Sequence, residues 1–286
     1  MTVLLSVLVQ VVVVVVALHL LSLRAIDGVW TPFSYRQMIQ QNARIVAPTA
    51  VVLGGLLGAN SLIRDIGVEL SWLIGINITG AIHALEGGFV AELQSLATPG
   101  ATAYFSFIYV FGYVFLLTFP LVLYAIHAEP EPLSATLLTY ILNYGIGLVC
   151  YIIFVTYGPR NFMPEAVNSL LFTSWPRSQL LTSQVNVNTN VFPSLHTSLS
   201  ASVAFLAYYY RSVSPRWLPV ASIGAVSVAI STMYLGIHWL TDVVAGVLLA
   251  AGCVALSIRL ATNEQGEPVP LLDPDAGSRG RELLRR

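Results

Sequence analysis

Two short segments of this chain carry the residue types that could perform chemistry. One is Pro193-Ser194-Leu195-His196, and the other runs from Ser231 to His238, with Asp242 four residues further on. Residues four apart stack on one face of a helix, so the carboxylate could hold the imidazole through one ring nitrogen and leave the other nitrogen free. A histidine oriented in this way can attack phosphorus. We therefore predict a phosphoryl-transfer centre, with His196 as the acid for the leaving group.

The polar residues around these segments are typical of a phosphate site. Ser194 and Thr197 would supply hydroxyls and free backbone N–H groups at a helix N-terminus, which favours anions. Arg160 is the first arginine beyond the preceding apolar segment, and its guanidinium could neutralise the phosphoryl oxygens, with Arg177 as the substitute candidate. Gly236 suggests that the helix carrying the second histidine starts there. We expect neither a metal nor another cofactor.

Composition indicates the environment in which this centre works. The chain has 286 residues, of which 56% are apolar and 9% charged, and its mean hydropathy is +0.76. These values predict an integral membrane protein. The formal net charge of −1 and the lack of charge blocks exclude nucleic acid as a partner. The expected partners are the bilayer and a lipid-phosphate substrate.

Apolar segments of about 20 residues predict an all-α bundle of about seven transmembrane helices. Thr197 to Tyr210 is the shortest of the seven and becomes long enough only if its helix begins near Pro193. An eighth segment, Gly67 to Leu85, is largely apolar but carries polar or charged residues at several positions. We interpret the region near 67–98 as interfacial or re-entrant. The other six predicted spans are Val3 to Leu23, Ile45 to Ile63, Thr102 to Ile126, Ser134 to Thr156, Trp217 to Leu235 and Trp239 to Ile258.

Arginine distribution predicts the orientation, because cytoplasmic loops collect basic residues near the ends of spans. With seven spans, one side receives six arginines and the other receives Arg64, Arg160 and Arg177. The six are Arg24, Arg36, Arg44, Arg211, Arg216 and Arg259. We therefore expect a multi-pass protein of the cell membrane with a cytoplasmic C-terminus. Its reaction centre would lie on the external side.

The chain divides into four predicted regions. Residues 1–44 hold the first span and a cytoplasmic loop, and residues 45–100 hold a span and the external interfacial segment. Residues 101–259 form the catalytic membrane core, and residues 260–286, rich in Pro, Gly and mixed charge, form a disordered tail. In the second region, His83 and Glu86 share a helical face and could bind a polar headgroup, although loop polarity explains them as well.

A resemblance follows from the motifs above. Pro159-Arg160, Pro193-Ser194-Leu195-His196 and the segment from Ser231 to Asp242 resemble the type 2 phosphatidic acid phosphatase superfamily. Within it, the chain is most similar to the aureobasidin-resistance, or inositol phosphorylceramide synthase, branch. The resemblance covers roughly Thr102 to Ile258. It implies that His238 forms a phosphohistidine, Asp242 orients it, His196 protonates the leaving group, and Ser194 and Arg160 bind phosphate.

Two departures from the superfamily pattern bear on the activity. Ile153 stands where the first motif has a lysine, and Thr232 stands where phosphatase members usually carry a second arginine. Both changes remove a phosphate-binding cation and favour the phosphotransferase branch over the phosphatase branch. Two other interpretations compete with the enzyme, namely a transporter or scramblase with a His/Asp proton relay and a catalytically silent membrane scaffold.

Overall fold

The computed structural model describes residues 2–26, 32–127, 129–182 and 191–261, and these form an all-α bundle, as predicted. Nearly all of the predicted C-terminal tail lies outside the described residues. The long helices are α1 (Thr2–Ile26), α2 (Pro32–Ile74), α6 (Tyr113–Ala125), α7 (Glu131–Ile153), α11 (Leu195–Tyr209), α12 (Trp217–Tyr234) and α13 (Leu240–Ala261). The short helices are α3 (Thr79–Glu86), α4 (Phe89–Ser95), α5 (Pro99–Phe107), α8 (Pro159–Phe162), α9 (Leu170–Ser174) and α10 (Ser178–Thr182).

Within the described residues, five helical segments are long and apolar enough to cross a membrane. They match five of the seven predicted spans and are Val3–Ile26, Pro99–Ala125, Glu131–Ile153, Trp217–Tyr234 and Leu240–Ala261. Many apolar side chains on their outer surfaces are exposed, such as Val13 and Leu248. An exposed apolar surface of this extent is what a lipid-facing bundle presents.

The helix that contains the predicted span Thr197 to Tyr210 is shorter than a membrane-spanning helix needs to be. This helix, α11, begins only at Leu195 and has 15 residues, which is about 22 Å at 1.5 Å per residue. That length falls short of the hydrocarbon thickness of about 30 Å. Neighbouring helices surround α11 instead, because it packs against α6, α7, α12 and α13. It is the central helix of the bundle.

Hydroxyl groups on α11 form hydrogen bonds to the neighbouring helix α7. Ser198 donates to the side-chain carbonyl of Asn143 on α7, and the amide of Asn143 donates to Ser202 over 3.2 Å. All three side chains are fully buried. Hydrogen bonds between helices contribute roughly 0.6 to 2 kcal/mol each in membrane bundles. The hydroxyl-rich composition of this segment therefore has a packing explanation.

The predicted span Ile45 to Ile63 lies within the 43-residue helix α2, and the side chains of residues 59–65 lie outside the described part. The region near 67–98 is divided among several elements. Residues up to Ile74 continue α2, after which Ile76–Asn77 (β1) pairs in parallel with Phe154–Val155 (β2). Helices α3 and α4, of 8 and 7 residues, are too short to cross a membrane.

Candidate active site

The second histidine motif folds as a turn followed by a helix. Helix α13 begins at Leu240, so our prediction that the helix starts near Gly236 was wrong. Gly236 has a φ of +72°, a left-handed conformation that a right-handed helix cannot include. The N–H groups of Ile237 and His238 both donate to the carbonyl of Thr232 and close the turn. His238 therefore precedes the helix, and Asp242 lies in its first turn.

His238 and Asp242 are nevertheless in contact. The Nδ1 atom of His238 lies 3.3 Å from Oδ2 of Asp242, and both side chains are buried. The same Oδ2 atom accepts the backbone N–H of Trp239 over 2.9 Å, which fixes the carboxylate in place. Asp242 can thus orient the imidazole and also satisfy one N–H group ahead of the helix.

Burial keeps His238 neutral. It lowers the pKa of His238 from its ordinary value of 6.5 to about 3, and the Arg160 charge acts in the same direction, whereas a hydrogen bond to the backbone of Val191 opposes the shift. An imidazole in this state has a free electron pair at neutral pH. It is therefore in the protonation state that a nucleophile requires.

The first histidine motif begins α11 beside this pair. The Ser194 hydroxyl caps the helix by accepting the backbone N–H of Thr197 over 3.3 Å, and the Thr197 hydroxyl also donates to it over 3.0 Å. Both residues are buried. The capping contact occupies part of the Ser194 oxygen, but its own O–H can still donate to an anion.

His196 is the second residue of α11 and faces the second motif. The ring centroids of His196 and His238 are 6.2 Å apart. In-line transfer requires the nucleophile to contact phosphorus on one side while the acid contacts the leaving oxygen, so the two imidazoles must lie close enough to touch one phosphoryl group. The observed separation suits this arrangement.

Two tyrosines flank the His196 ring. The Tyr109 ring stacks on it with a centroid distance of 4.7 Å and an interplanar angle of 23°, and the Tyr113 ring lies at 4.5 Å. They come from either end of a π-helical turn, Ile108–Gly112, that interrupts the helix running from α5 to α6. Such turns insert one extra residue per turn and often occur at functional sites. The sequence did not predict these contacts, because the residues of the turn read as ordinary apolar helix.

Arg160 supplies a cation to the same cluster. Its backbone N–H donates to the carbonyl of Gly236 over 3.0 Å, and its guanidinium lies 4.7 Å from the centre of the Phe172 ring. Among the described residues, the buried Nη1 atom has no hydrogen-bond partner. Burial also lowers the pKa of Arg160. A buried guanidinium with an unsatisfied donor is suited to bind an anion.

Arg177 is not part of this cluster. It is exposed, in a turn between α9 and α10, whereas His196, His238, Asp242 and Arg160 are wholly or largely buried. The structure thus brings together six of the seven predicted site residues and leaves Arg177 outside. Across the described ranges, no three side chains among His, Cys, Asp and Glu come close enough to hold a metal ion.

Close backbone packing joins the loop that carries Arg160 to the turn before His238. A Cβ atom on Gly158 would lie 2.3 Å from the carbonyl oxygen of Ile237, so only glycine allows this approach. The indole N–H of Trp239 donates to the carbonyl of Tyr157 over 2.8 Å. The Arg160 guanidinium and the His238–Asp242 pair are therefore positioned by the same two backbone segments.

A family model described as the PAP2 superfamily matches residues 82–256, which is more than half of the chain. The match begins about twenty residues before the region that sequence analysis assigned to this resemblance, so it includes most of α3 and all of α4. No curated protein and no solved structure matches the chain.

Proposed function

This chain belongs to the PAP2 superfamily, and on that premise we propose that it is a membrane-embedded lipid phosphatase or phosphotransferase that works through a phosphohistidine. The single observation that carries the proposal is the meeting of four groups in one buried cluster. These are the His238–Asp242 pair at 3.3 Å, the His196 ring at 6.2 Å from the His238 ring, and the Arg160 guanidinium with an unsatisfied donor.

The proposed first step forms a nitrogen–phosphorus bond. A ring nitrogen of neutral His238 attacks phosphorus, the bond from phosphorus to the leaving oxygen breaks, and His196 gives a proton to that oxygen. Asp242 stabilises the positive charge that develops on the His238 ring. Arg160 and the Ser194 hydroxyl bind the phosphoryl oxygens. The anionic substrate itself favours the protonated form of His196 before the step.

The second step regenerates the enzyme. Water or an acceptor alcohol attacks the phosphohistidine, His196 accepts the proton of the attacking hydroxyl, and the nitrogen–phosphorus bond breaks. Hydrolysis and transfer differ only in this nucleophile. Neither step requires a metal.

We further propose that transfer dominates, as in an inositolphosphotransferase. Two positions support this view because they lack the cations of the phosphatase pattern. Ile153 is apolar and ends α7, and the Thr232 hydroxyl is buried and donates to the carbonyl of Ala229 over 2.7 Å. With fewer cations around it, the phosphoryl group depends more on Arg160.

The experiment uses the purified full-length chain in lipid vesicles with phosphatidic acid, isoprenoid diphosphate or phosphatidylinositol. Free phosphate and new lipids are measured by mass spectrometry, with and without an added alcohol acceptor. The expected result is turnover of at least one donor and an acid-labile phosphoenzyme, both lost in His238→Ala. The control His19→Asn alters a histidine that packs against Phe115 and Phe119. Full activity in His238→Ala would contradict the phosphohistidine mechanism.

The proposed location of this chemistry is the external face of the cell membrane, with the C-terminus in the cytoplasm. The asymmetry of arginine between the two sides supports it. Asn161 is exposed and adjacent to Arg160, so Asn161→Cys in a background without Cys150 and Cys253 reports on the site directly. An impermeant thiol reagent should label it in intact cells. Labelling only after the membrane is permeabilised would reverse the orientation.

A further inference from the structure

Helix α3 ends in a carboxylate that bonds to a distant helix. The Glu86 side chain accepts the backbone N–H of Leu240 over 2.9 Å through Oε2 and the backbone N–H of Thr241 through Oε1. These partners lie 154 and 155 residues further along the chain. Both carboxylate oxygens are used by the backbone. This geometry argues against the sequence interpretation that Glu86 binds a polar headgroup with His83.

The bonds of Glu86 complete the start of α13. The first N–H groups of a helix have no partner within it, and the positive end of the helix dipole favours a negative group there. Asp242 accepts the N–H of Trp239, and Glu86 accepts the next two. Three successive N–H groups around the catalytic pair are thus bonded to carboxylates. Only one of those carboxylates lies on α13 itself.

Helix α4 is tied to the same region. The buried side chain of Gln94 donates to the carbonyls of Asn168 and Tyr234 over 2.9 and 3.0 Å and accepts the N–H of Asn168 over 2.8 Å. The Thr79 hydroxyl, at the start of α3, accepts the N–H of Tyr157 over 3.0 Å. Helices α3 and α4 are therefore fixed to the segments on both sides of the site, and Glu86 cannot move freely away from α13.

We propose that Glu86 is a positioning residue for the reaction of His238. By holding the first turn of α13, it fixes the Asp242 carboxylate at the distance and angle from which that group orients the imidazole. Glu86 acts through the backbone and does not touch the substrate. The inference rests on the proposed function for its kinetic consequence, but its structural part, the ordering of the first turn of α13, is independent of any activity.

The test compares three variants of the full-length protein in vesicles. Glu86→Ala removes both acceptors, and Glu86→Gln keeps one acceptor oxygen. Glu92→Gln is the matched control, because Glu92 is exposed on the neighbouring helix α4. We expect kcat to fall at least tenfold in Glu86→Ala and by a smaller factor in Glu86→Gln, with KM within twofold of the original. Glu92→Gln should leave both constants unchanged.

Hydrogen exchange supplies a readout that does not depend on turnover. The peptide covering residues 239–243 should exchange at least tenfold faster in Glu86→Ala and be unchanged in Glu92→Gln. Unchanged exchange in Glu86→Ala overturns the proposal. A rise in KM with kcat preserved also overturns it, because Glu86 would then contact the substrate. If the proposed function is wrong, the pattern differs. The protein without substitutions will then be inactive, and residues 239–243 will still exchange faster in Glu86→Ala.

Discussion

The backbone N–H of Ser194 donates to the backbone carbonyl of Asp242 over 3.0 Å and joins the two histidine motifs directly. Ser194 caps the start of α11, and Asp242 lies in the first turn of α13, so this bond sets the distance between the two helix starts. Gly246 lies one turn below on α13 and lets the backbone of Ser194 approach. A Cβ atom there would lie 2.6 Å from the Ser194 carbonyl oxygen and 3.2 Å from Cβ of Thr197.

Replacement of Gly246 by alanine should therefore separate the two motifs. Overpacking of this kind costs about 1 to 3 kcal/mol of stability, and a displacement of about 1 Å at a reacting group can reduce the rate by about a hundredfold. We expect Gly246→Ala to lower kcat at least tenfold and to lower the midpoint of thermal unfolding.

The control for this change lies on the same helix. A Cβ atom on Gly252 would meet nothing within 4 Å, so Gly252→Ala gains only the higher helix propensity of alanine, about 1 kcal/mol in favour of folding. It should keep full activity and unfold at the same or a higher temperature. Equal activity in the two variants would show that the approach of Ser194 to Gly246 does not position the histidines.

Much of this site could be predicted from local sequence. His196, His238, Asp242 and Arg160 stood out because histidine, carboxylate and arginine side chains are conspicuous in a chain with 9% charged residues. The spacing of His238 and Asp242 anticipated their contact. The start of α13 was misplaced because a glycine before a histidine does not reveal whether its φ is positive, and here the left-handed φ of Gly236 belongs to the preceding turn.

Other parts of the site depend on tertiary contacts that no local pattern encodes. The bonds of Glu86 reach across more than 150 residues, and those of Gln94 reach across 74 and 140. The tyrosine rings reach His196 through a π-helical turn whose sequence, Ile108–Gly112, reads as ordinary apolar helix. Aromatic residues in such a segment are typical of packing or an interfacial belt. Their contact with a histidine became visible only with the fold.

The ring of Tyr109 should matter more than its hydroxyl. Because the ring stacks on His196 at 4.7 Å, Tyr109→Leu removes a flat surface that limits rotation of the imidazole, whereas Tyr109→Phe keeps it. We expect kcat to fall roughly tenfold in Tyr109→Leu, as for a small misplacement of a catalytic group, and by a clearly smaller factor in Tyr109→Phe. The two variants are compared at saturating substrate. An equal loss in both would assign the effect to the hydroxyl.

Two arginines offer a matched comparison of charge at different places. Arg160 is largely buried with an unsatisfied donor, and Arg177 is exposed outside the cluster. Removing a group that stabilises transition-state charge costs on the order of a hundredfold or more, so Arg160→Gln should lower kcat/KM by about that factor. Arg177→Gln should stay within twofold of the original. A large loss in Arg177→Gln would mean that the exposed arginine moves into the site when substrate binds.

Acid should destabilise the protein through His238 in a defined range of pH. Its pKa is about 3 in the folded protein and 6.5 ordinarily, so between these values the unfolded chain binds a proton at this residue that the folded protein does not. Stability contributed by the neutral ring is therefore complete above about pH 6.5 and decreases as the pH falls towards 3. We expect the thermal midpoint to drop between pH 7 and pH 4.5, and to drop less in His238→Asn, which has no proton to gain. Parallel curves for the two proteins, measured in the same detergent, would contradict a neutral buried His238.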